Sequence, residues 1–430
     1  MSRDGYEHEF IETIVEDVYK QVTHVVPLHT ADHAVGIESR VHEVNSLLDL
    51  GSDDVVQLGI CGMGGIGKTT IARAVYDSIS DQFEGLCFLN NVRGASHKSG
   101  PMHLQETMLY ETCGLKIKLG CVSQGIGIIK QRLSKKKVLL VLDDVDKLMH
   151  LQVIAGASDW FGPGSRIIIT TRDKHLLKAH AVNIIYEVHE LSEGESLDLL
   201  CWSAFKTNKV DPRYADILKR ELAFSSGLPL ALKVLGCYLF GKSINESESA
   251  LDWWYERIPH NHILTALKIS FDSLDEEEKD IFLDIACFFN GRKLEDVEDI
   301  LGAHYGGSMK DIINTLIEKS LIKIDNGLVT LHYLIEDMGK EIVRQESPHE
   351  PSERSRLWRF DDVVHVLEEN SVRNQLIYAD FIFYLYYLLC FLSSVDSTNS
   401  QQFFSLFFLL YNILICLNMH VEFQAFIIVL

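Results

Sequence analysis

At 430 residues the chain is longer than one ordinary core accommodates, so two to four domains are expected. Hydrophobic residues make up 47% and charged residues 23%, which excludes a disordered chain. A formal net charge of −21 argues against nucleic acid as the main partner, because most of the surface would repel phosphate.

Residues 1–30 carry a helical pattern, Phe10-Ile11, Ile14-Val15 and Val18-Tyr19 among acids, and read as a linker helix ending near Val25-Val26-Pro27. Over 31–210, short apolar runs alternate with helix-length stretches. The runs are VVQLGI, LCFLNNV at 86–92, KVLLVLDDV at 137–145, SRIIITTR at 165–172 and IIYEV at 184–188. Such runs predict a parallel sheet covered on both faces, hence an α/β domain.

From about 211 the strands stop. YADILKRELAF, PLALKVLGCYLF and ILTALKISFDSL predict an all-α domain over 211–272. In 273–346 the helix EEKDIFLDIACFF is followed by LIKID and LVTLH, joined through Asn326-Gly327, and by the helix LIEDMGKEIV. Asn-Gly between two β-like runs is a strong hairpin signal, and helices followed by a small hairpin suggest a winged-helix domain. No fixed period recurs, so a leucine-rich solenoid is not expected in this chain.

Residues 347–372 read as a linker and 373–430 as an apolar tail. After Arg373 there is no Lys or Arg, and FIFYLYYLLCFL and FFSLFFLLYNILICL dominate. One reading is a membrane anchor within 381–417, of marginal spanning length and interrupted by Asn412. The other is translated non-coding sequence from read-through or alternative splicing, which the abrupt change of composition favours. Nine scattered cysteines without a Cys-x-x-Cys pair favour reduced thiols in the cytoplasm or nucleus. Membrane association is expected only if the tail is a real anchor.

The chemistry-bearing stretch is GICGMGGIGKTT at 59–70. Gly62, Gly67, Lys68 and Thr69 fill the pattern G-x-x-x-x-G-K-[ST], with a predicted strand before and a helix after. Gly62, Gly64, Gly65 and Gly67 let backbone N–H groups turn inward around phosphates, with Thr70 beside them at the helix N-terminus. Lys68 would neutralise the β and γ phosphates and the Thr69 hydroxyl would ligate Mg²⁺. In KVLLVLDDVD, Asp143 and Asp144 stand at the end of a buried strand. There Asp143 would hold Mg²⁺ through its water shell, and Asp144 would orient an attacking water. An acidic strand end by itself serves as a helix cap, and the upstream phosphate loop tips the reading toward metal. Arg172, just beyond GSRIIITT, would reach a γ-phosphate, although local sequence alone fits a solvated or structural arginine nearly as well. Asn208-Lys209-Val210-Asp211 imitates a guanine-reading signature but follows a helical stretch, LDLLCWSAFK. It is set aside.

Taken together, these residues resemble the NB-ARC module of plant intracellular disease-resistance proteins, of the class that carries a TIR domain. AVGIESRVHEV at 34–44, LVLDDVD ending in Asp146, GSRIIITTRD, Gly227-Leu228-Pro229-Leu230 and FLDIACFF follow in family order. The resemblance covers roughly residues 5 to 370. It implies a P-loop domain, a helical domain (211–272) and a winged-helix domain (273–346) closed around one adenine nucleotide, ADP or ATP with Mg²⁺. Val35 and Gly36 would lie near adenine, with Pro229 packed beside it. Leu331-His332-Tyr333 matches the family's Met-His-Asp motif, in which His332 would reach the ADP β-phosphate. Tyrosine in place of aspartate is expected to weaken the ADP-locked state, since it removes a carboxylate that could cap the following helix. The implied function is a molecular switch in defense signal transduction, with at most slow ATP hydrolysis as a reset. The resemblance also implies that neither an NAD-consuming TIR domain nor leucine-rich repeats lie in this chain. The rivals are a turnover ATPase and a truncated adaptor or decoy that self-associates or pairs with full-length receptors.

Overall fold

The computed structural model describes Leu28, residues 34–207, 212–244, 246 and 261–368. The linker helix expected in 1–30, the stretch 208–211 and the apolar tail from 373 lie outside the described residues. The chain divides into two compact units. One comprises the described residues up to Lys279 together with Gly291–Ile335; the other comprises Asp280–Asn290 and the described residues from Glu336.

The first unit opens with helix α1, Ile37–Leu48, and then builds the expected sheet: β1 Val56–Cys61, β2 Gly85–Leu89, β3 Val138–Val145, β4 Arg166–Thr171 and β5 Ile184–Glu187. Its order is β2-β3-β4-β1-β5, and every pairing is parallel. Parallel strands need crossovers, here supplied mainly by α2 (Lys68–Ile79), α3 (Val92–Cys113), α4 (Val122–Leu133), α5 (Leu148–Ile154) and α6 (Lys174–Ala179). Every residue of Val138–Asp143 is buried, as is every residue of β4, so both faces of the sheet are covered. Leu140, Leu142, Ile167 and Ile169 pack with Met108, Leu109, Ile129 and Trp160 in one core. Each such aliphatic side chain contributes roughly 1.5–3 kcal/mol relative to exposure.

Because β1 lies beside β4, and β3 beside both β4 and β2, the C-terminal ends of four strands converge. The loop after β1, the acids ending β3, the residue after β4 and the start of α3 therefore share one edge of the sheet. The run 86–92 ends as a strand at Leu89. Asn91 adopts a left-handed conformation and its side chain caps α3 by accepting from the Gly94 N–H, so Val92 starts a helix rather than extending the strand.

A fully buried cation fixes the other end of the sheet. Arg166 donates through Nε to the carbonyl of Leu48 (2.6 Å) and through its Nη atoms to those of Asp49, Ser52, Asp54 and Ser165. It thereby supplies the partners that the C-terminus of α1 lacks.

Helices α7 (Glu193–Phe205), α8 (Ala215–Ser225) and α9 (Pro229–Leu239) form the helical region around buried Leu199, Leu200, Leu232 and Leu235. Next come α10 (Asn261–Asp272) and α11 (Glu276–Asp284). Two-residue β6 (Arg292–Lys293), α12 (Leu294–Tyr305) and α13 (Lys310–Glu318) follow. The expected hairpin is β7 Lys323–Asp325 and β8 Leu328–Thr330, with positive φ at both Asn326 (53°) and Gly327 (77°), as a two-residue type I′ turn requires. β6 adds a third antiparallel strand to it. In the second unit, α14 (Tyr333–Glu346) continues past Glu336 and α15 spans Phe360–Glu368. There Arg356 donates to Asp284, and Arg354 pairs with Asp362 at 2.8 Å. Among the described residues, no helix is long and apolar enough to cross a membrane.

Candidate functional site

The loop after β1 turns on glycine. Gly62, Gly65 and Gly67 have positive φ values of 147°, 79° and 106°. At Gly65 a Cβ would also lie 2.6 Å from the Leu230 Cβ, so the turn and the close approach both demand glycine there. Lys68, the first residue of α2, is 8% exposed and donates to the carbonyls of Gly62 (2.8 Å) and Met63 (2.9 Å). Burial, reinforced by the Arg172 charge, pushes its pKa down to about 7.

The two acids expected at the end of β3 do different things. Asp143 is buried, and one of its oxygens, Oδ1, accepts from both the Thr69 hydroxyl (2.8 Å) and the Thr170 hydroxyl (2.7 Å). Asp144 turns away. The strand register shifts between Leu142 and Val145, Asp144 takes φ 57°, and its N–H donates to the same Thr170 hydroxyl at 2.8 Å. Its carboxylate meets Arg93 at 2.8 Å and Arg172 Nε at 3.6 Å. Arg172 in turn donates through Nη1 to the Ala266 carbonyl in α10. Thr70 is half-buried on α2, where it continues the helix begun by Lys68.

These donors fit a nucleotide phosphate with a hard cation. A hydroxyl and a carboxylate, both oxygen donors, lie together beside a glycine loop, a buried lysine and a helix N-terminus. Thr69 and Asp143 would hold Mg²⁺, which would supply charge neutralisation between phosphates.

The remaining expected residues surround this centre from the helical side. Leu230 N–H donates to the Gly65 carbonyl at 3.2 Å, so the Gly-Leu-Pro-Leu segment touches the phosphate loop through the residue after Pro229. Pro229 itself is half-buried at the first position of α9, where its missing N–H is harmless. Val35 and Gly36 form the turn before α1. Arg40 Nη1 donates to the Gly36 carbonyl (2.7 Å) and to Glu195 Oε1 (2.7 Å). A Cβ at Gly36 would lie 1.8 Å from that same Glu195 oxygen. Glu195 also completes a capping box with Ser192, and the Arg40 hydrogen bond holds its pKa down at about 2.

His332 stands on a carbonyl of the helical region. Its Nδ1 accepts from the Leu334 N–H (3.2 Å), so the proton sits on Nε2, which donates to the Ser226 carbonyl at 3.1 Å. This corrects the expectation for the next position. Tyr333 is the first residue of α14, and the capping acceptor is His332, so an aspartate at 333 would act inside the first turn instead of as the cap. Tyr333 is 46% exposed and meets the Phe224 ring edge-on at 5.4 Å.

Sequence reasoning missed Arg93, Thr170, Ala266 and the Arg40–Glu195 pair. Thr170 carried a signal, a hydroxyl ending an otherwise apolar strand. Arg93 carried a weaker one, a cation directly after a strand whose C-terminal end faces the loop. The other two depend on contacts across 94 and 155 positions, which no local pattern encodes.

The NB-ARC domain profile matches residues 37–210, and that of the winged-helix domain of Roq1-like disease resistance proteins matches 275–347. Disease resistance protein RUN1 of Vitis rotundifolia is 41% identical over 369 residues, which cover 85% of this chain and 27% of RUN1. TMV resistance protein N of Nicotiana glutinosa is 38% identical, covering 86% of this chain and 32% of its own length. Disease resistance protein TAO1 of Arabidopsis thaliana is 35% identical, with 87% and 32% covered. The chain thus spans about a quarter to a third of the relatives it matches.

Proposed function

The chain belongs to the NB-ARC disease-resistance family, with a Roq1-like winged-helix domain behind its nucleotide-binding domain, and from that membership we propose that it is an ADP/ATP switch of a plant intracellular immune receptor. The observation that carries the reading is the enclosure of the phosphate loop by parts other than its own sheet. Gly65 accepts from Leu230, Arg172 holds the Ala266 carbonyl, and His332 holds the carbonyl of Ser226, directly before Gly-Leu-Pro-Leu.

Such an arrangement suits retention over turnover. The residue assigned to orient water, Asp144, is engaged by Arg93, and the residue assigned to the γ-phosphate, Arg172, is engaged by Ala266. A bound nucleotide shifts a conformational balance only through contacts that differ between states, and these engagements are the contacts available to change. Adenine would lie toward Val35, Gly36 and Pro229, the phosphates toward Lys68, Thr69 and Arg172, with Mg²⁺ on Thr69 and Asp143. Hydrolysis would be slow and would reset the switch. Self-association and pairing with longer receptors fit the same role, as does residence in the cytoplasm or nucleus.

The test is to denature the purified chain and identify the nucleotide released. ADP or ATP at near-stoichiometric yield from the wild type, absent from Lys68→Ala, is expected. Release of none from either protein would reject the reading.

A further inference from the structure

Arg93 belongs to none of the motifs that pointed to nucleotide, yet it makes the shorter of the two ion pairs to Asp144. It lies in the first turn of α3, where the helix dipole disfavours a cation by about 0.3–1 kcal/mol. Its side chain is 23% exposed and reaches Asp144 Oδ2 at 2.8 Å. Asp144 is constrained in turn, by its positive φ of 57° and by its N–H on Thr170. A non-glycine residue in that conformation persists only when its surroundings hold it there.

On the other oxygen of Asp144 stands Arg172 Nε, at 3.6 Å. That nitrogen is buried and makes no hydrogen bond. Arg172 reaches instead through Nη1 to the Ala266 carbonyl, and a Cβ on Gly64 would lie 2.6 Å from the same Nη1, which puts the guanidinium against the phosphate loop. One carboxylate thus pairs with two arginines, at 2.8 Å with the first and only at 3.6 Å with the second. Without Arg93, only the Nη1 bond to the Ala266 carbonyl would oppose collapse of Arg172 onto Asp144. The buried Nε would gain its missing acceptor and the guanidinium would leave the loop.

We propose that Arg93 is a positioning residue that sets the preference of the site between nucleoside di- and triphosphates. By occupying Asp144 it keeps Arg172 beside Gly64, where a third phosphate would meet it. The inference rests on the reading of this site as an adenine-nucleotide switch. It predicts that the cost of losing Arg93 falls on the triphosphate, since only that ligand needs Arg172, and that the cost vanishes when Asp144 can no longer attract Arg172.

The experiment measures the affinities of the full chain for ADP and for slowly hydrolysed ATPγS by titration calorimetry. Wild type, Arg93→Ala, Asp144→Asn and the double variant are compared. Arg93→Ala is expected to weaken ATPγS on the order of tenfold while ADP changes by less than about twofold, and Asp144→Asn in the same chain to restore the ratio. A merely structural role would weaken both nucleotides together and would not be relieved by Asp144→Asn; that result overturns the proposal. Should Arg93→Ala fail to fold, Arg93→Gln carries the same comparison. If the wild-type chain binds neither nucleotide, the switch reading itself fails; if it binds both and Arg93→Ala weakens them equally, only the role of Arg93 fails.

Discussion

His332 joins the start of α14 to the helical region through one proton, donated from Nε2 to the Ser226 carbonyl at 3.1 Å while Nδ1 accepts from Leu334. The Leu334 bond requires a neutral ring, because a protonated Nδ1 cannot accept. Burial lowers the His332 pKa below its ordinary 6.5, with the Ser226 bond opposing in part. In the unfolded chain the ring binds its proton more readily, so its contribution to stability is complete above 6.5 and is lost as pH falls below that value. Thermal melts are expected to show a larger drop between pH 7.5 and pH 5.5 in the wild type than in His332→Gln. Parallel pH profiles would remove His332 as the sensitive group.

Tyr333→Asp separates two effects of similar size. Aspartate in the first turn of α14 gains about 0.3–1 kcal/mol from the helix dipole. Loss of the edge-on Phe224 contact costs about 0.5–1.5 kcal/mol. Overall stability should therefore change by no more than about 1.2 kcal/mol, so a change in ADP release would report on the site and not on folding. Slower release in the variant, followed with a fluorescent ADP, is expected; unchanged release would clear Tyr333 of weakening the ADP-held state.

Lys68, with its pKa near 7, is largely neutral at pH 8 in the free protein. Phosphates beside it favour the ammonium, so nucleotide binding should draw in a proton. Calorimetry of ADP binding at pH 8 in two buffers of different ionisation enthalpy should give an uptake approaching one proton per site. Lys68→Arg, which keeps its charge at that pH, should show little uptake if it binds.

The Arg40–Glu195 pair ties the Gly36 turn to the N-terminus of α7. Because the Glu195 pKa is depressed to about 2 from 4.5, its contribution is present above pH 4.5 and disappears as pH falls toward 2. Both partners are part-buried, at 15% and 24% side-chain exposure, so a double-mutant cycle with Arg40→Ala and Glu195→Gln should return a coupling of roughly 0.5–2 kcal/mol at neutral pH. Coupling below about 0.3 kcal/mol would reduce the pair to a surface contact.

How far the sequence reached depends on the range of each interaction. Apolar runs of buried-strand length, separated by helical periods, determined the parallel sheet, because strands covered on both faces must be continuously apolar. Asn326-Gly327 determined a turn with two positive φ values, since few other pairs tolerate it. Gly62 to Thr69 determined the phosphate loop, its glycines placed where side chains would block the turn. Those features are local, and the physics that fixes them acts within a few residues.

What only the tertiary structure decided is who engages whom. Asp143 and Asp144 are adjacent and chemically equal, yet a register shift in β3 sends one to Thr69 and the other to Arg93. Arg172 looked as much structural as functional until the fold set it between Asp144 and the Ala266 carbonyl. His332 was a histidine after a short strand until Ser226, 106 positions earlier, supplied its acceptor. Ion pairs and hydrogen bonds act over a few ångströms, and the strand order β2-β3-β4-β1-β5 together with the packing of the helical region, not distance along the chain, determines which groups come that close.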